Sequence, residues 1–598
     1  MTDPKTASSA CECSRRDFLK GGVLAAAVPA AALGTFGAVY HFTSHRPLRV
    51  GVVGTGDQGQ VLMSAIDPNY IDVRSIADIR PFNLHRAFHG DITAIQVRQG
   101  LLSVYGWDTV QQARKHVKVY TDWRDLIRNA KADGLEALII GLPLHLHAPA
   151  TVFAMQQGLH VLTEKLMAGT VAECKEMSRA ATLYKKHLAT GHQRHYNILY
   201  QEAVDQIRRG ILGDIHYIRA QWHRNNSPGG DSWQQPMPRA IKPDDPQAAR
   251  LQSELTSWTR ELNAARGLAI EEWAKRVALK EAQIADYILG QEGGGSYMGL
   301  DIKSAADYEY KRGDQLPEGR LPGDFDRPAA EELLRWRLWR RTGGGLMVEL
   351  GSHQIDAAAI FMAANRDYYL DKIGSDEPRG EKVYPLKVHV SSNRNIFGLD
   401  REVCDHVTVL VEYPAPDYDP TTVAGRMRTV CMQYSTINGN GFGTYGEIVY
   451  GTDGTLVLTQ ELRSELFRAG GADAAARVAA RAAEAASLDT QASGPEHEAA
   501  GGGAAEVSRG YNEQLQHFAW CIRNNPNATD PIMQPRCHPK VALADSVISL
   551  VTNIAADTGQ SIEFNDKWFD IDDDATPEAE ILNCPNGRPS LHKAMYQF

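Results

Sequence analysis

The segment from Gly343 to Asp356 sets Glu349, His353 and Asp356 at i, i+4 and i+7. On a helix these three share one face. A carboxylate one turn from a histidine fixes the imidazole tautomer and supports an imidazolium, which suits proton transfer. The plainer reading of the same face is a solvated or internally paired acid–histidine row. A second chemistry-bearing stretch lies far upstream, in Gly54-Thr55-Gly56-Asp57-Gln58-Gly59. In a GxGxxG pattern the first glycine permits a tight turn. The second lets the backbone approach a pyrophosphate, and the third lets helix and strand pack closely. A third stretch holds His145 and His147 on one loop. Imidazoles are metal-ligand types, but no cysteine or further acid accompanies them, so no metal is expected there.

These residues need elements to hold them. Leu48 to Val53 is a β-branched strand that runs into the glycines. Val61, Leu62, Ala65 and Ile66 then give a helical pattern. That strand–turn–helix context makes the glycine motif a dinucleotide site, with the helix N-terminus offering N–H groups to phosphate. A second strand, Val73 to Ala77, ends in Asp78, 19 residues past Gly59. A carboxylate there can accept the adenosine-ribose hydroxyls and favours NAD, whereas Arg80 could hold the 2′-phosphate of NADP. Strands at 117–120, 137–140 and 161–163 alternate with helices, as a parallel sheet requires. Downstream, 215–223, 386–396, 403–413, 427–437, 445–451 and 454–459 read as strands, and 511–524 and 538–557 as helices.

The N-terminus has a different task. Ser14-Arg15-Arg16-Asp17-Phe18-Leu19-Lys20 precedes an uncharged run from Gly21 to Tyr40. This resembles a bacterial twin-arginine export signal with small-residue cleavage sites near Ala30 to Ala32. The alternative is an uncleaved anchor over residues 21–40, since 20 residues at about 1.5 Å each can just span a hydrocarbon core. A twin-arginine resemblance implies passage of an already folded, often cofactor-loaded, protein to the periplasm or beyond. Its partner would be the twin-arginine export machinery.

From strand 137–140 onward the chain resembles the glucose–fructose oxidoreductase, inositol dehydrogenase and MocA (Gfo/Idh/MocA) superfamily. Gly158 to Lys165 is similar to its "GKHVLCEKP" element, and Pro143 to His147 to its "TPxxxH" turn. Glu349 to Asp356 is similar to "DxGxHxxD", and the stretch ending at Ile571 to "IEFDxxWFxID". Two departures stand out. Leu166 occupies the usual proline position, so a cis bond after Lys165 is not expected. Glu349 replaces the usual first aspartate.

The resemblance implies an α/β fold: a Rossmann parallel-sheet domain, then an α+β domain with an open, mainly antiparallel sheet. The expected organisation is signal and linker at 1–46, the NAD(P)-binding domain at 47–191, the substrate and oligomerisation domain at 192–572, and a tail at 573–598. Insertions fall at 225–340, with helices near 247–264 and 269–288, and at 469–508. The latter is Ala/Gly-rich and reads as a flexible segment or exposed helix.

In the family the histidine exchanges the substrate hydroxyl's proton and the Glu-Lys lysine assists. Carried over, His353 takes the proton, Lys165 polarises the oxygen and Glu349 supports the imidazolium. Expected cofactor contacts are Gly54, Gly56, Gln58, Gly59, Asp78, Arg80, Pro143, His147, Glu164 and Lys165. Arg194, His195, His223, Arg224 and Asp356 are candidates for substrate hydroxyls. The chemistry would be hydride transfer between NAD or NADP and a ring hydroxyl of a sugar or cyclitol. Outside the cytoplasm free cofactor is not expected, which favours a tightly held, recycled one. The alternatives are an NAD-dependent glycosidase using transient oxidation, and a non-catalytic carbohydrate- or partner-binding protein.

Composition excludes other classes. The 598 residues carry 63 Lys plus Arg against 73 Asp plus Glu, a net charge of −10, with no basic stripe for nucleic acid. Eight cysteines without a CxxC pair do not make a disulfide scaffold. An open sheet face points to a homo-oligomer.

Overall fold

The computed structural model describes residues 46–91, 98–226, 246–288, 296–297, 300–301, 309–310, 332–333, 335–397, 401–468, 476–481 and 509–582. The export-signal reading at 1–40 lies outside them.

The first domain holds a six-stranded, wholly parallel sheet. Its strands are β1 (Leu48–Val53), β2 (Ile71–Ala77), β3 (Lys118–Tyr120), β4 (Ala137–Ile140), β5 (His160–Thr163) and β6 (Leu188–Thr190). Their spatial order is β3-β2-β1-β4-β5-β6. The order reverses at β1 and β4, so a crevice opens beyond the carboxyl ends of those two strands. β4 and β5 are fully buried along their length, which suits a sheet covered on both faces. Helices α1 (Asp57–Ser64), α2 (Pro81–His89), α3 (His147–Gln156) and α4 (Val171–Tyr184) follow the strands.

The glycine turn obeys its predicted steric logic. A Cβ on Gly54 (φ +80°) would lie 2.4 Å from the Gly141 carbonyl oxygen. One on Gly59 would lie 2.1 Å from the Gly54 oxygen. Both obstacles are backbone and cannot move aside. Gly54→Ala is therefore expected to cost about 1–3 kcal/mol. Chemical denaturation should show it as a lowered midpoint, and an unchanged midpoint would contradict the packing.

The second domain carries a nine-stranded sheet. It contains β7 (Ile215–Arg224), β8 (Lys387–Asn393), β9 (His406–Pro414), β10 (Thr429–Asn438), β11 (Tyr445–Gly451), β12 (Gly454–Thr459), β13 (Arg463–Arg468), β14 (Ala476–Arg481) and β15 (Ile562–Glu563). The order is β14-β13-β12-β11-β7-β10-β9-β8-β15. Only the β7–β10 pair is parallel, so the sheet is open and mainly antiparallel, as expected. Strand β14 corrects the reading of 469–508 as wholly flexible or helical: residues 476–481 pair antiparallel with β13.

Helices α5 (Ile198–Arg208), α8 (Ser352–Ile373) and α10 (Pro539–Thr558) pack together in the second domain, α8 against β7 and α10 against β8. The long, apolar α10 is mostly buried there as a core helix. One apolar core runs from Val53 and Ile140 through Met347 and Phe361 to Val409 and Val551, so the two domains share it. Helix α9 (Tyr511–Asn524) leaves its own half. Leu515, Phe518, Ala519 and Ile522 pack in one cluster with Leu48, Val50 and Val52 of β1. The 225–340 insertion contributes a helical hairpin, α6 (Pro246–Ala264) and α7 (Leu268–Ile288), with α7 resting on α2.

Candidate active site

One large cleft runs from the carboxyl ends of β1, β2 and β4 to the inner face of β7. Its lining runs from Gly54 and Asp78 at one end to Lys165, Trp222 and His353 at the other.

At its first end lies the glycine turn. Gly54 and Gly56 line the cleft. A Cβ on Gly56 would meet only the Asn83 amide, at 3.6 Å, so here the glycine opens space rather than saving it. Gly59 serves packing instead. Asp57 stands in the first turn of α1, where its charge is balanced by Arg86 and Arg98 at 2.8 and 3.0 Å. The N-terminus of α1 therefore faces the cleft without a net negative neighbour, which fits a pyrophosphate.

Asp78 is in the cleft as expected, but its carboxylate is largely committed. It accepts from the Thr55 and Arg80 amides, each at 2.8 Å, and from Asn83 Nδ2 at 3.1 and 3.2 Å. The carboxylate that locks the glycine turn thus stands on the cleft wall. Arg80 and Pro143 line the same wall. Gln58 Nε2 donates to Glu164 Oε1 at 2.8 Å, tying α1 to the end of β5. Burial pushes the Glu164 carboxyl up to about 7. The Nδ1 and Nε2 of His147 each lie 2.8 Å from a backbone carbonyl, those of Leu166 and Leu142. Its ring braces the two loops rather than offering a free nitrogen to a ligand. The Lys165–Leu166 peptide bond is cis, against the expectation drawn from the missing proline; Leu166 is wholly buried with its carbonyl beside His147.

At the second end Lys165 and His353 meet. Lys165 Nζ donates to the Glu349 carbonyl oxygen. Burial lowers its pKa, against the pull of Glu349 and Glu164. His353 is buried, lines the cleft, and is held well below its ordinary range by burial and by the Lys165 and Arg194 charges. It is thus a neutral base at neutral pH. Its Nδ1 has no hydrogen-bond partner among the described residues. Trp222 lies beside it, 5.6 Å between ring centroids, and stacks on Tyr445 at 4.4 Å. The aromatic pair supplies a flat apolar wall next to the base.

The expected Glu349–His353–Asp356 face does not form. Met347–Gly351 is a π-helical turn, and the α-helix starts only at Ser352, so the 3.6-residue register breaks between the first two members. The Glu349 carboxylate turns to Arg337, 3.2 Å away. Although burial opposes it, the Arg337, Lys165 and Arg224 charges keep Glu349 ionised below its usual range. It positions Lys165 through its carbonyl and does not fix the His353 tautomer. Asp356 is fully buried behind the cleft and pairs with His195 Nε2 at 2.7 Å. Lys382 stands 2.8 Å from Asp545 and 4.0 Å from Asp356.

The other substrate candidates divide. Arg224 lines the cleft. His223, its neighbour on β7, falls on the opposite face of the strand and is not in the cleft, because side chains alternate. Arg194 is wholly buried beneath the site, so it touches no substrate. It donates to Glu461 at 2.8 Å, Glu447 at 2.7 Å, the His353 carbonyl at 2.8 Å and Gln354 Oε1 at 3.0 Å. His195 is likewise spent on Asp356. The sequence reading missed Trp222, Tyr310, Arg337, Glu461 and Arg509, all of which line the cleft. Trp222, two residues before Arg224 on the same strand face, was within reach of the period-2 rule. The rest come from insertions or distant loops and carry no local signal.

Burial of neutral imidazoles makes stability depend on pH. It depresses His160, His192 and His517 to about 3, and His85 and His538 to about 4. Below about pH 6.5 the unfolded chain takes up these protons and the folded one resists. This contribution is therefore complete above that pH and is lost as pH falls toward 4 and 3. Glu164, and with it the buried Asp545 and Glu447, has the opposite sign, since burial raises them. Their contribution is lost as pH rises, for Glu164 through about 7. The melting temperature should peak near about pH 6.5 and fall more steeply on the acid side. A calorimetric series that is flat between about pH 5 and 6.5 would contradict this.

Residues 48–192 match the family model of the Gfo/Idh/MocA oxidoreductases, described as an NAD-binding Rossmann fold, and carry that fold. The chain is 26% identical over 177 residues to the rhizopine catabolism protein MocA of Rhizobium meliloti, which covers 29% of this chain and 47% of that protein. It is 26% identical over 187 residues to a glycosyl hydrolase family 109 protein of Stenotrophomonas maltophilia, covering 30% and 37%. The chain thus spans about half or less of the length of these curated relatives. A solved inositol dehydrogenase homologue from Azotobacter vinelandii, in complex with NADH and myo-inositol, superposes with a TM-score of 0.50 at 12% identity. That likeness covers 87% of this chain and 98% of the other, so it extends the shared fold through the second domain.

Proposed function

We propose that the chain is an exported NAD(P)-dependent oxidoreductase acting on a ring hydroxyl of a sugar or cyclitol, with a tightly held, internally recycled cofactor. The observation that carries this reading is the meeting of Lys165 and neutral His353 at the far end of a cleft that begins at the glycine turn. A nicotinamide held there would accept or return a hydride. Every other task falls to this chain. Lys165, steered by the Glu349 carbonyl, polarises the substrate oxygen. His353 takes the hydroxyl proton. Trp222 packs the apolar face of a ring and excludes water. The myo-inositol bound by the inositol dehydrogenase homologue supports a polyhydroxylated ring as substrate class. Arg80 beside a largely committed Asp78 leaves both NAD and NADP within the proposal, as is a homo-oligomer through the outer face of the second sheet. The twin-arginine pattern at Ser14 to Lys20 carries the export part.

A second reading rests on the likeness to glycosyl hydrolase family 109: the same hydride transfer, made transient, would loosen a glycosidic bond. The test begins with exported protein washed free of loose ligand, denatured, and its supernatant assayed by mass spectrometry. Near-stoichiometric NAD(H) or NADP(H) is expected. Absence of both, with no binding on adding them back, sinks the hydride reading and leaves a binding protein. Release of an aglycone without net reduction would select the glycosidase.

A further inference from the structure

Behind the cleft, four buried side chains converge from three separate stretches of the chain. His192 follows β6, Asp356 lies on α8, Cys537 precedes α10 and Asp545 lies on α10. None is more than 1% exposed, and none belongs to the cleft lining. His192, Cys537 and Asp545 each bring a nitrogen, sulfur or oxygen atom within 4.8 Å of the other two. Asp356 brings an oxygen within the same distance of Asp545. Both carboxyl groups are held from outside. Lys382 Nζ donates to Asp545 Oδ1 at 2.8 Å, and His195 Nε2 lies 2.7 Å from Asp356 Oδ1. The second oxygen of each, Oδ2, is buried and has no hydrogen-bond partner among the described residues. Buried polar atoms are nearly always satisfied, so two such oxygens beside a thiol and an imidazole point to a further group between them. His192 Nδ1 lies 3.6 Å from Cys537 Sγ. That is the nitrogen–sulfur edge of a tetrahedron with metal bonds of about 2.1 and 2.3 Å.

We propose that His192, Cys537 and Asp545 bind a zinc ion, with Asp356 as the fourth ligand. A nitrogen, a thiolate sulfur and carboxylate oxygens suit zinc, whereas magnesium and calcium take oxygen ligands. Lys382 and His195 then do what outer partners of a metal site do: each holds the far oxygen of a ligating carboxylate and fixes its direction. Coordination takes the Cys537 sulfur as thiolate, so its proton passes to solvent as the ion enters. With four protein ligands and no cleft residue among them, the site is structural and leaves no position for a substrate. The ion joins the last strand of the first sheet to α8 and α10. It also backs the base, because the His192 ring stands edge-on to His353 with 6.0 Å between centroids. The inference stands apart from the hydride-transfer reading, since none of its ligands touches the cleft.

The experiment incubates the full-length protein with zinc chloride, removes loose ion by desalting and counts the metal by inductively coupled plasma mass spectrometry. Wild-type protein should keep about one zinc per chain and melt several degrees higher than protein stripped with a chelator. Cys537→Ala and Asp545→Asn should each keep roughly tenfold less. Cobalt supplied in place of zinc should give wild-type protein the charge-transfer absorption of a thiolate–metal bond. That spectrum needs no variant, so it decides the matter should Cys537→Ala fail to fold. Wild-type protein that keeps less than about a tenth of an ion per chain overturns the site. So does zinc retained at the wild-type level in either folded variant, which would place an adventitious ion elsewhere. Cobalt bound without the thiolate absorption overturns it as well. All three outcomes leave the proposed function standing.

Discussion

His353→Asn should lower turnover by about 10²- to 10⁴-fold while bound nucleotide stays near the wild-type amount. That range is what a positioned general base contributes. Asparagine keeps a polar group of similar size but takes no proton. The imidazole is the cleft's neutral base because burial and the Lys165 and Arg194 charges hold it unprotonated. For the same reason the acid limb of kcat/KM for alcohol oxidation should lie below the ordinary histidine value of about 6.5. The variant should abolish that limb, a readout that a structural role would not move. Steady-state rates on a panel of sugars and cyclitols, with nucleotide content measured in parallel, check it. Turnover within a factor of a few of wild type would remove His353 from the chemistry.

Arg194→Met should destabilise the protein by about 3–5 kcal/mol, the usual cost of removing one partner from a buried ion pair. Arg194 and Glu447 are wholly buried, and Glu461 nearly so. Burial raises Glu447, whose other oxygen accepts from Tyr200 at 2.7 Å. Methionine leaves Glu447 and Glu461 without the guanidinium that pairs with both. The guanidinium also holds the His353 carbonyl, so turnover should fall in whatever fraction remains folded. Denaturant unfolding of the full chain measures the loss. A variant within about 1 kcal/mol of wild type would mean that water or another group reaches Glu461.

Legibility followed distance along the chain. The glycine turn, the strands at 137–140, 445–451 and 454–459 and the helix at 511–524 were readable to the residue or nearly so. Each is specified by neighbours: β-branched runs, glycines, and a 3.6-residue apolar pattern. Lys165 and His353 were readable as a pair only through the family resemblance, and the cleft lining includes both. What failed was inference from an ideal helix. The i, i+4, i+7 row dissolved because a π-helical turn intervenes and because Arg337, twelve residues before Glu349, offered the acid a better partner. Arg194 and His195 looked like substrate contacts because polar residues beside a motif resemble ligand groups until their burial is known. Their partners, Glu447, Glu461 and Asp356, lie more than 150 residues away.

By itself the sequence determined the nucleotide-binding half and the strand pattern of the second half. These depend on local sterics and on alternation. Only the tertiary structure decided which polar groups face the cleft, which lie buried as paired charges beneath it, and that Tyr310 and Arg337 of the insertion join its lining. Those outcomes are set by ion pairs and packing between segments that sequence spacing does not link.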